Sequence, residues 1–244
     1  GEKEVVIQVK ACSLNFPDTL IIQGKYQYKP ALPFTPGSDI AGVVCAVGSK
    51  VKHLKEGQEV FGFVANGGFA EEVIAPAKNV FPKPPKMDFA TAASFLMAYG
   101  TSYHALKNRA KLKEGETLVV LGASGGVGLA AVELGKQMGA RVIACASTQE
   151  KIDLCKSYGA DEGINYSTED LKERIKALTE GKGADVIYDP IGDKFAEPAL
   201  RAIGWEGRYL VVGFAAGEIP KIPLNLALLK GCQIVGVFWG SWAI

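Results

Sequence analysis

The sequence predicts an α/β chain in two parts, an antiparallel, barrel-like region followed by a doubly wound parallel sheet. Three observations lead there. Residues up to about 97 read as short strands separated by Pro and Gly clusters such as Pro33–Gly37 and Asn66–Gly68. From about residue 98 the pattern changes to strand, helix, strand, helix, which implies parallel strands with helices on both faces. At Thr117–Val132 an apolar, β-branched run ends in four glycines within seven residues and passes directly into an Ala/Leu-rich helix pattern. At 244 residues the chain has room for two modest domains, and the change of pattern sets their expected limits at 1–97 and 98–244.

In the first part, strands are expected at Val5–Ala11, Asp39–Val47, Glu59–Val64 and Phe69–Ile74. Val5–Lys10 alternates only partly, as suits a strand with one well-buried face. Lys55–Gly62 reads as a turn leading into a strand. In the second part, Leu118–Leu121 is a strand, Gly126–Met138 a helix and Arg141–Ala146 the next strand. A helix over Gln149–Tyr158 leads to a short strand near Glu162–Ile164. Thr168–Thr179 is helical, with Leu171, Ile175 and Leu178 on one face. Val186–Tyr188, Tyr209–Val212 and Ile234–Phe238 supply three further strands.

The glycine turn carries the strongest chemical signal. Its spacing is G-x-x-G-x-x-G (Gly122, Gly125, Gly128) with Gly126 in addition, rather than G-x-G-x-x-G. Glycines let the backbone turn sharply and approach a ligand, while the unpaired N–H groups and dipole of the helix attract negative charge. Glycine-rich turns without a ligand exist, but a strand before and a helix after point to a dinucleotide pyrophosphate. The tip of the second strand then chooses between cofactors. An acid there would accept hydrogen bonds from the adenosine ribose, whereas hydroxyl and basic groups suit a 2′-phosphate. Arg141–Ala146 runs into Ser147 and Thr148 with no acid at the tip, and Lys151 follows one helical turn later. Glu150 falls in the first helical turn, where the dipole favours an acid. Ser147 also fits a helix N-cap, and Lys151 an ordinary solvated lysine; a serine can do both. The expected cofactor is NADPH.

Composition narrows the partners. The 27 Lys and Arg against 26 Asp and Glu give no field that favours nucleic acid or an anionic membrane. No apolar run approaches the roughly 20 residues that cross a bilayer. The five cysteines (Cys12, Cys45, Cys145, Cys155, Cys232) are dispersed, odd in number and without a C-x-x-C pair, against a disulfide framework or a zinc knuckle. A reducing compartment is expected: the cytoplasm, or the mitochondrion if a presequence has been removed, since Gly1–Val6 resembles no leader.

Several segments together resemble the zeta-crystallin-like quinone oxidoreductase branch of the medium-chain dehydrogenase/reductase superfamily. They are Cys12–Asp18, Gly24–Tyr26, Pro36–Val44, Thr101–Leu106, Gly122–Gly128 and Ile164–Tyr166, and the similarity covers nearly the whole chain. The resemblance implies a GroES-like catalytic domain, a Rossmann domain and a cleft between them. It also implies that both ends fall short of the family pattern, so that the GroES-like barrel is expected to be incomplete. Zinc-dependent members of the superfamily carry a cysteine and a histidine where this chain has Asn15 and Ser38. Neither is a good zinc ligand, and the four-cysteine structural lobe is absent, so no metal is expected.

By the same resemblance, Asn15 would orient the acceptor carbonyl and Tyr26 would stack on it or donate a hydrogen bond. Asn15 also fits a turn before Phe16–Pro17, and Tyr26 a packing residue. Thr101 would lie near the nicotinamide, and the backbone of Ser124, Gly125, Gly126 and Val127 would meet the pyrophosphate. Ser147, Lys151 and Tyr166 would meet the 2′-phosphate, and Phe214 and Phe238 would frame the carboxamide, each aromatic fitting a core role equally well. Asp189 reads as a turn or helix cap rather than a catalytic acid. The implied function is a zinc-independent reductase passing hydride from NADPH to a quinone. Two alternatives are reduction of α,β-unsaturated carbonyls or acyl thioesters, and cofactor binding without turnover. The expected partners are a small quinone or enone and a second copy of the chain, as a homodimer or homotetramer, with Ile234–Trp239 as the pairing strand.

Overall fold

Alternating β-branched residues place Val5 and Ile7 on one buried face of the first strand, β1 (Glu4–Ser13). In the computed structural model, which describes residues 1–243, β1 pairs antiparallel with β2 (Asp39–Val47) and with β4 (Glu72–Pro76). With β3 (Glu59–Phe63) and β5 (Val80–Pro82) they make a five-stranded sheet in the order β4-β1-β2-β3-β5. Val5, Ile7, Ile40, Val44, Val60 and Val80 form its core. Burying each such side chain contributes roughly 1.5–3 kcal/mol, so a register slip that turned them outward would be strongly opposed.

Two helices accompany this sheet. The segment α1 (Phe16–Ile21) occupies what the sequence marks only as a turn before Pro17; proline is tolerated in a first helical turn because its missing N–H has no partner there. The second, α2 (Phe89–Ala93), is capped by Asp88, which accepts the Thr91 N–H at 2.8 Å. The strand expected at Phe69–Ile74 begins only at Glu72. Gly68 and Phe69 donate their N–H groups to the carbonyls of Gly37 and Pro36 instead, which folds that stretch onto the Pro36–Gly37 loop.

Next comes α3 (Thr101–Tyr103), flanked by π-helical turns at Leu96–Gly100 and His104–Arg109. Six parallel strands follow: β6 (Thr117–Leu121), β7 (Arg141–Ala146), β8 (Glu162–Asn165), β9 (Ala184–Asp189), β10 (Ile203–Val211) and β11 (Gln233–Gly236). They are arranged β11-β10-β9-β6-β7-β8. Consecutive residues of β6 serve opposite cores. Leu118 and Val120 pack with Val132 of α4 (Gly126–Gln137) and with Val142 and Val186. Val119 and Leu121 pack with Ile175 of α6 (Leu171–Leu178) and Leu200 of α7 (Ala196–Arg201). The remaining helices are α5 (Gln149–Ser157), α8 (Asn225–Lys230) and α9 (Trp239–Ala243). The helix expected from Thr168 starts only at Leu171, because Thr168 and Glu169 bond back to Asn165 and Asp170 caps the helix through the Glu173 N–H.

The chain steps outward from β6 to β7 and β8, then returns to place β9 on the other side of β6. That reversal makes the space beyond the carboxyl ends of β6 and β9 the topological switch point, where doubly wound sheets bind ligands. The chain divides into two compact units, Gly1–Met97 and Ala98–Ala243; Ile244, the last residue of the expected second domain, lies outside the described residues. No helix among the described residues is long and apolar enough to cross a membrane.

Candidate functional site

The glycine turn lies at the switch point. Gly122 follows β6 with φ +56°, and a Cβ there would lie 2.6 Å from Cγ2 of Ile191, which follows β9. Gly128 is closed from the other side, since its Cβ would stand 2.3 Å from the Gly122 carbonyl oxygen. Between them the cradle is open: a Cβ on Gly126 would meet nothing within 4 Å, and on Gly125 only the Gly122 oxygen at 3.4 Å. Gly125 is the N-cap of α4 in extended conformation, with no side chain to satisfy the first N–H groups. An uncapped helix start beneath two bare glycines is a fit for a diphosphate.

The turn is braced from behind by residues the sequence reading did not single out. Ser102 donates its hydroxyl hydrogen to the Val127 carbonyl at 2.8 Å, and the buried Tyr188 hydroxyl donates to Ser102 Oγ at 2.9 Å. Burial pushes the Tyr188 phenol well above its ordinary pKa. Thr101, the residue before Ser102, is buried at the start of α3. The indole of Trp239 lies on Gly100, where a Cβ would come within 2.7 Å of the ring. This contact brings Phe238, half exposed just before Trp239, to the segment that carries Thr101. Phe238 follows β11 rather than ending it, and Trp239 opens α9, so the strand expected to Phe238 is shorter.

At the tip of β7 the structure separates two hydroxyls that the sequence could not. Thr148, not Ser147, is the N-cap of α5 and accepts the Lys151 N–H at 3.3 Å. Ser147 is therefore free of capping, and its Oγ accepts a hydrogen bond from Lys151 Nζ at 3.0 Å. Tyr166 joins them because its N–H donates to the Ala146 carbonyl at 3.1 Å; its ring packs on Phe195 with centroids 4.5 Å apart. Glu150 sits in the first turn of α5 as expected.

Phe214 follows β10 in a loop zipped to the end of β9: Val212 donates to Asp189, Ala215 to Pro190 and Ala216 to Ile191. Asp189 braces this turn, its Oδ1 accepting the N–H groups of Ile191 at 2.9 Å and Gly192 at 2.8 Å, and its Oδ2 the Tyr209 hydroxyl.

In the antiparallel unit, Asn15 is the N-cap of α1. Asp18, buried, accepts the Asn15 N–H on Oδ2 at 2.9 Å and the Gly37 N–H on Oδ1 at 3.2 Å, tying the helix start to the Gly37–Asp39 segment. The Asn15 amide donates from Nδ2 to Ser13 Oγ at 2.9 Å. Ser38 is buried and its carbonyl accepts the Val64 N–H. Asp39 is only 1% exposed; its Oδ2 accepts the Met97 N–H at 2.9 Å, and burial pushes its carboxyl up to about 7. Burial, with help from Asp18 and Asp39, pushes the Cys12 thiol up to about 12, which leaves it protonated and unreactive. Tyr26 lies half-buried in the bend after α1, its phenol raised by burial. The sequence marks Asp18 only within the Cys12–Asp18 segment and Asp39 within Pro36–Val44 and as the start of a strand; an Asn-x-x-Asp spacing before a helix is the signal that could have marked Asp18.

The two units match separate family models. Residues 1–85 match the alcohol dehydrogenase GroES-like domain and residues 126–244 the zinc-binding dehydrogenase family. The chain is 43% identical over 243 residues to a quinone oxidoreductase-like protein 2 homolog of Nematostella vectensis, covering 99% of this chain and 66% of that protein. It is 40% identical over 240 residues to quinone oxidoreductase-like protein 2 of Bos taurus, covering 98% and 69%. Among solved structures, Escherichia coli quinone oxidoreductase complexed with NADPH matches with a TM-score of 0.93 at 32% identity, over 99% of this chain and 74% of that one. The chain thus spans 66% and 69% of the length of the two relatives. On its two family models, its sequence relatives and its fold, it belongs to the quinone oxidoreductase branch of the medium-chain dehydrogenase/reductase superfamily.

Proposed function

We propose that the chain is a zinc-independent oxidoreductase that reduces a quinone with NADPH. The observation that carries this reading is the pairing of Lys151 Nζ with the uncapped Ser147 hydroxyl at a strand tip that bears no acid, beside an open cradle at Gly125–Gly126. Ser147, Lys151 and Tyr166 would take the 2′-phosphate, and the backbone of Ser124–Val127 the pyrophosphate. Thr101, Phe214 and Phe238 would line the nicotinamide end. NADPH, when bound, supplies the hydride.

The chain's own residues bind and orient. Asn15 donates from Nδ2 to Ser13 Oγ and faces the Asp39 carboxylate, and in this reading its amide orients an acceptor carbonyl. Tyr26 offers a ring and a phenol that burial keeps protonated. A quinone accepts hydride readily and its oxygen can take a proton from water, so positioning supplies much of the rate. Zinc independence is supported by the donors present. Asn15 and Ser38 stand where zinc-dependent relatives place a cysteine and a histidine. His53 Nε2 bonds the Ala77 carbonyl at 3.0 Å, and His104 Nδ1 faces Asn108 at 3.2 Å. NADPH consumption with a panel of quinones tests the reading; a folded protein that oxidises NADPH with none of them would refute it.

Lys151→Ala should weaken NADPH binding by roughly 10- to 100-fold, the worth of one charge-assisted hydrogen bond, and leave NADH binding unchanged. Equal losses for both cofactors in a fluorescence titration would remove Lys151 from the 2′-phosphate site. We also propose a homodimer in which β11, the end strand of its sheet, pairs with its copy. Light scattering of the intact protein checks this, and a strictly monomeric species would exclude it.

A further inference from the structure

We infer that Asp39 is a positioning residue that fixes the orientation of the Asn15 amide through Ser13. The inference rests on the reading of Asn15 as the group that orients the acceptor. Three observations on the antiparallel sheet lead to it. Ser13 and Asp39 are direct cross-strand partners of β1 and β2, the arrangement in which neighbouring side chains on one face interact most closely. Ser13 Oγ is already used as the acceptor for Asn15 Nδ2 at 2.9 Å, which leaves its hydroxyl hydrogen free to turn to another acceptor. On the facing strand, Asp39 Oδ2 holds the Met97 N–H, while Oδ1 is buried without a hydrogen-bond partner, an acceptor to which the Ser13 hydrogen can turn.

A buried carboxylate oxygen in that condition is costly. An asparagine at position 39 would accept the Met97 N–H equally well and carry no charge. The carboxylate therefore adds nothing to that backbone contact; what it adds is a second acceptor facing the Ser13 and Asn15 side chains, both of which act on it to favour its ionised form. With Asp39 drawing the Ser13 hydrogen, the serine lone pair is turned toward Asn15 Nδ2. That fixes the direction of the remaining in-plane N–H of the amide. Neighbouring Asp18 does not compete for this role, since its two oxygens hold the N–H groups of Asn15 and Gly37. Cys12, the other titratable group facing Asp39, remains a thiol.

The cost of the arrangement gives it a signature. Because the folded protein raises the Asp39 pKa above its unfolded value, the folded state binds the extra proton between the two values, and stability falls as pH rises through that window. Removing the charge should relieve this above neutral pH. A side chain present only to hold the fold would do the opposite when replaced.

The test is Asp39→Asn in the intact protein, with Ser13→Ala, the double variant and Asn15→Ala. For a 1,4-quinone, kcat/KM should fall roughly 10- to 100-fold in Asp39→Asn, while the Kd for NADPH stays within about twofold of the parent and Tm at pH 8 is equal or higher. Ser13→Ala should show the same loss, and the double variant no further loss, because the two act in series. Parental kcat/KM in Asp39→Asn would overturn the inference, as would a lowered Tm with a parallel loss of NADPH affinity. Additive losses in the double variant would overturn the route through Ser13. If Asn15→Ala keeps parental activity, the acceptor-orienting reading of Asn15 fails and the inference with it. If Asn15→Ala loses activity and Asp39→Asn does not, only the inference fails.

Discussion

Replacing Gly126 by aspartate should leave the protein folded and remove NADPH binding. A Cβ at this position meets nothing within 4 Å, and the residue is the first of α4, so the new side chain has space and a backbone it can adopt. An acid in a first helical turn stabilises the helix by roughly 0.3–1 kcal/mol, so Tm should be equal or slightly higher. The same carboxylate would stand where the pyrophosphate is proposed to sit. Like charges placed together at a desolvated contact cost several kcal/mol, which corresponds to a loss of at least ~100-fold in affinity. Calorimetry and a thermal melt on the same sample separate the two effects. Parental NADPH affinity in Gly126→Asp would show that the cradle does not hold the phosphates.

Gly128→Ala should fail for the opposite reason. Its Cβ would lie 2.3 Å from the Gly122 carbonyl oxygen and 2.9 Å from Ala123 Cα, both backbone atoms that no rotamer change can move away. The helix would have to back off the β6 turn, disturbing the bond from Ser102 to Val127 as well. Overpacking of this kind costs roughly 1–3 kcal/mol or more, and for a chain of this size each kcal/mol lowers Tm by about 2–4 °C. NADPH affinity should fall with the stability rather than independently of it. The contrast between neighbouring glycines is the point: one is needed for packing, the other for room. A Gly128→Ala protein with parental Tm would contradict the geometry.

The ease with which these two positions can be told apart differs between sequence and structure. Spacing alone marks Gly122, Gly125, Gly126 and Gly128 as a set, and the flanking patterns locate β7 and the start of α4 correctly. These are local signals, written in consecutive residues. What was not legible depends on exact register, or on partners far along the chain. Ser147 and Thr148 are adjacent hydroxyls, and only the helical register of α5 decides that Thr148 caps. Ser102 looks like any polar helix residue until Tyr188 arrives from β9. Asp39 reads as a strand residue, and its burial beside Ser13 follows from the register of β1 against β2. The π-helical turns at Leu96–Gly100 and His104–Arg109 leave no trace in a search for a 3.6-residue period. The short α7 and α8 give such a search too few turns to work on.

In the proposed function, the tip of β7 and the glycine turn together hold a cofactor with a 2′-phosphate. Titration of the intact protein with NADPH and with NADH, followed by quenching of tryptophan fluorescence, tests it most directly. NADPH should bind about 100-fold more tightly than NADH or better, the combined worth of the Lys151 and Ser147 contacts to a phosphate. Equal affinity for the two cofactors, or tighter binding of NADH, would contradict it.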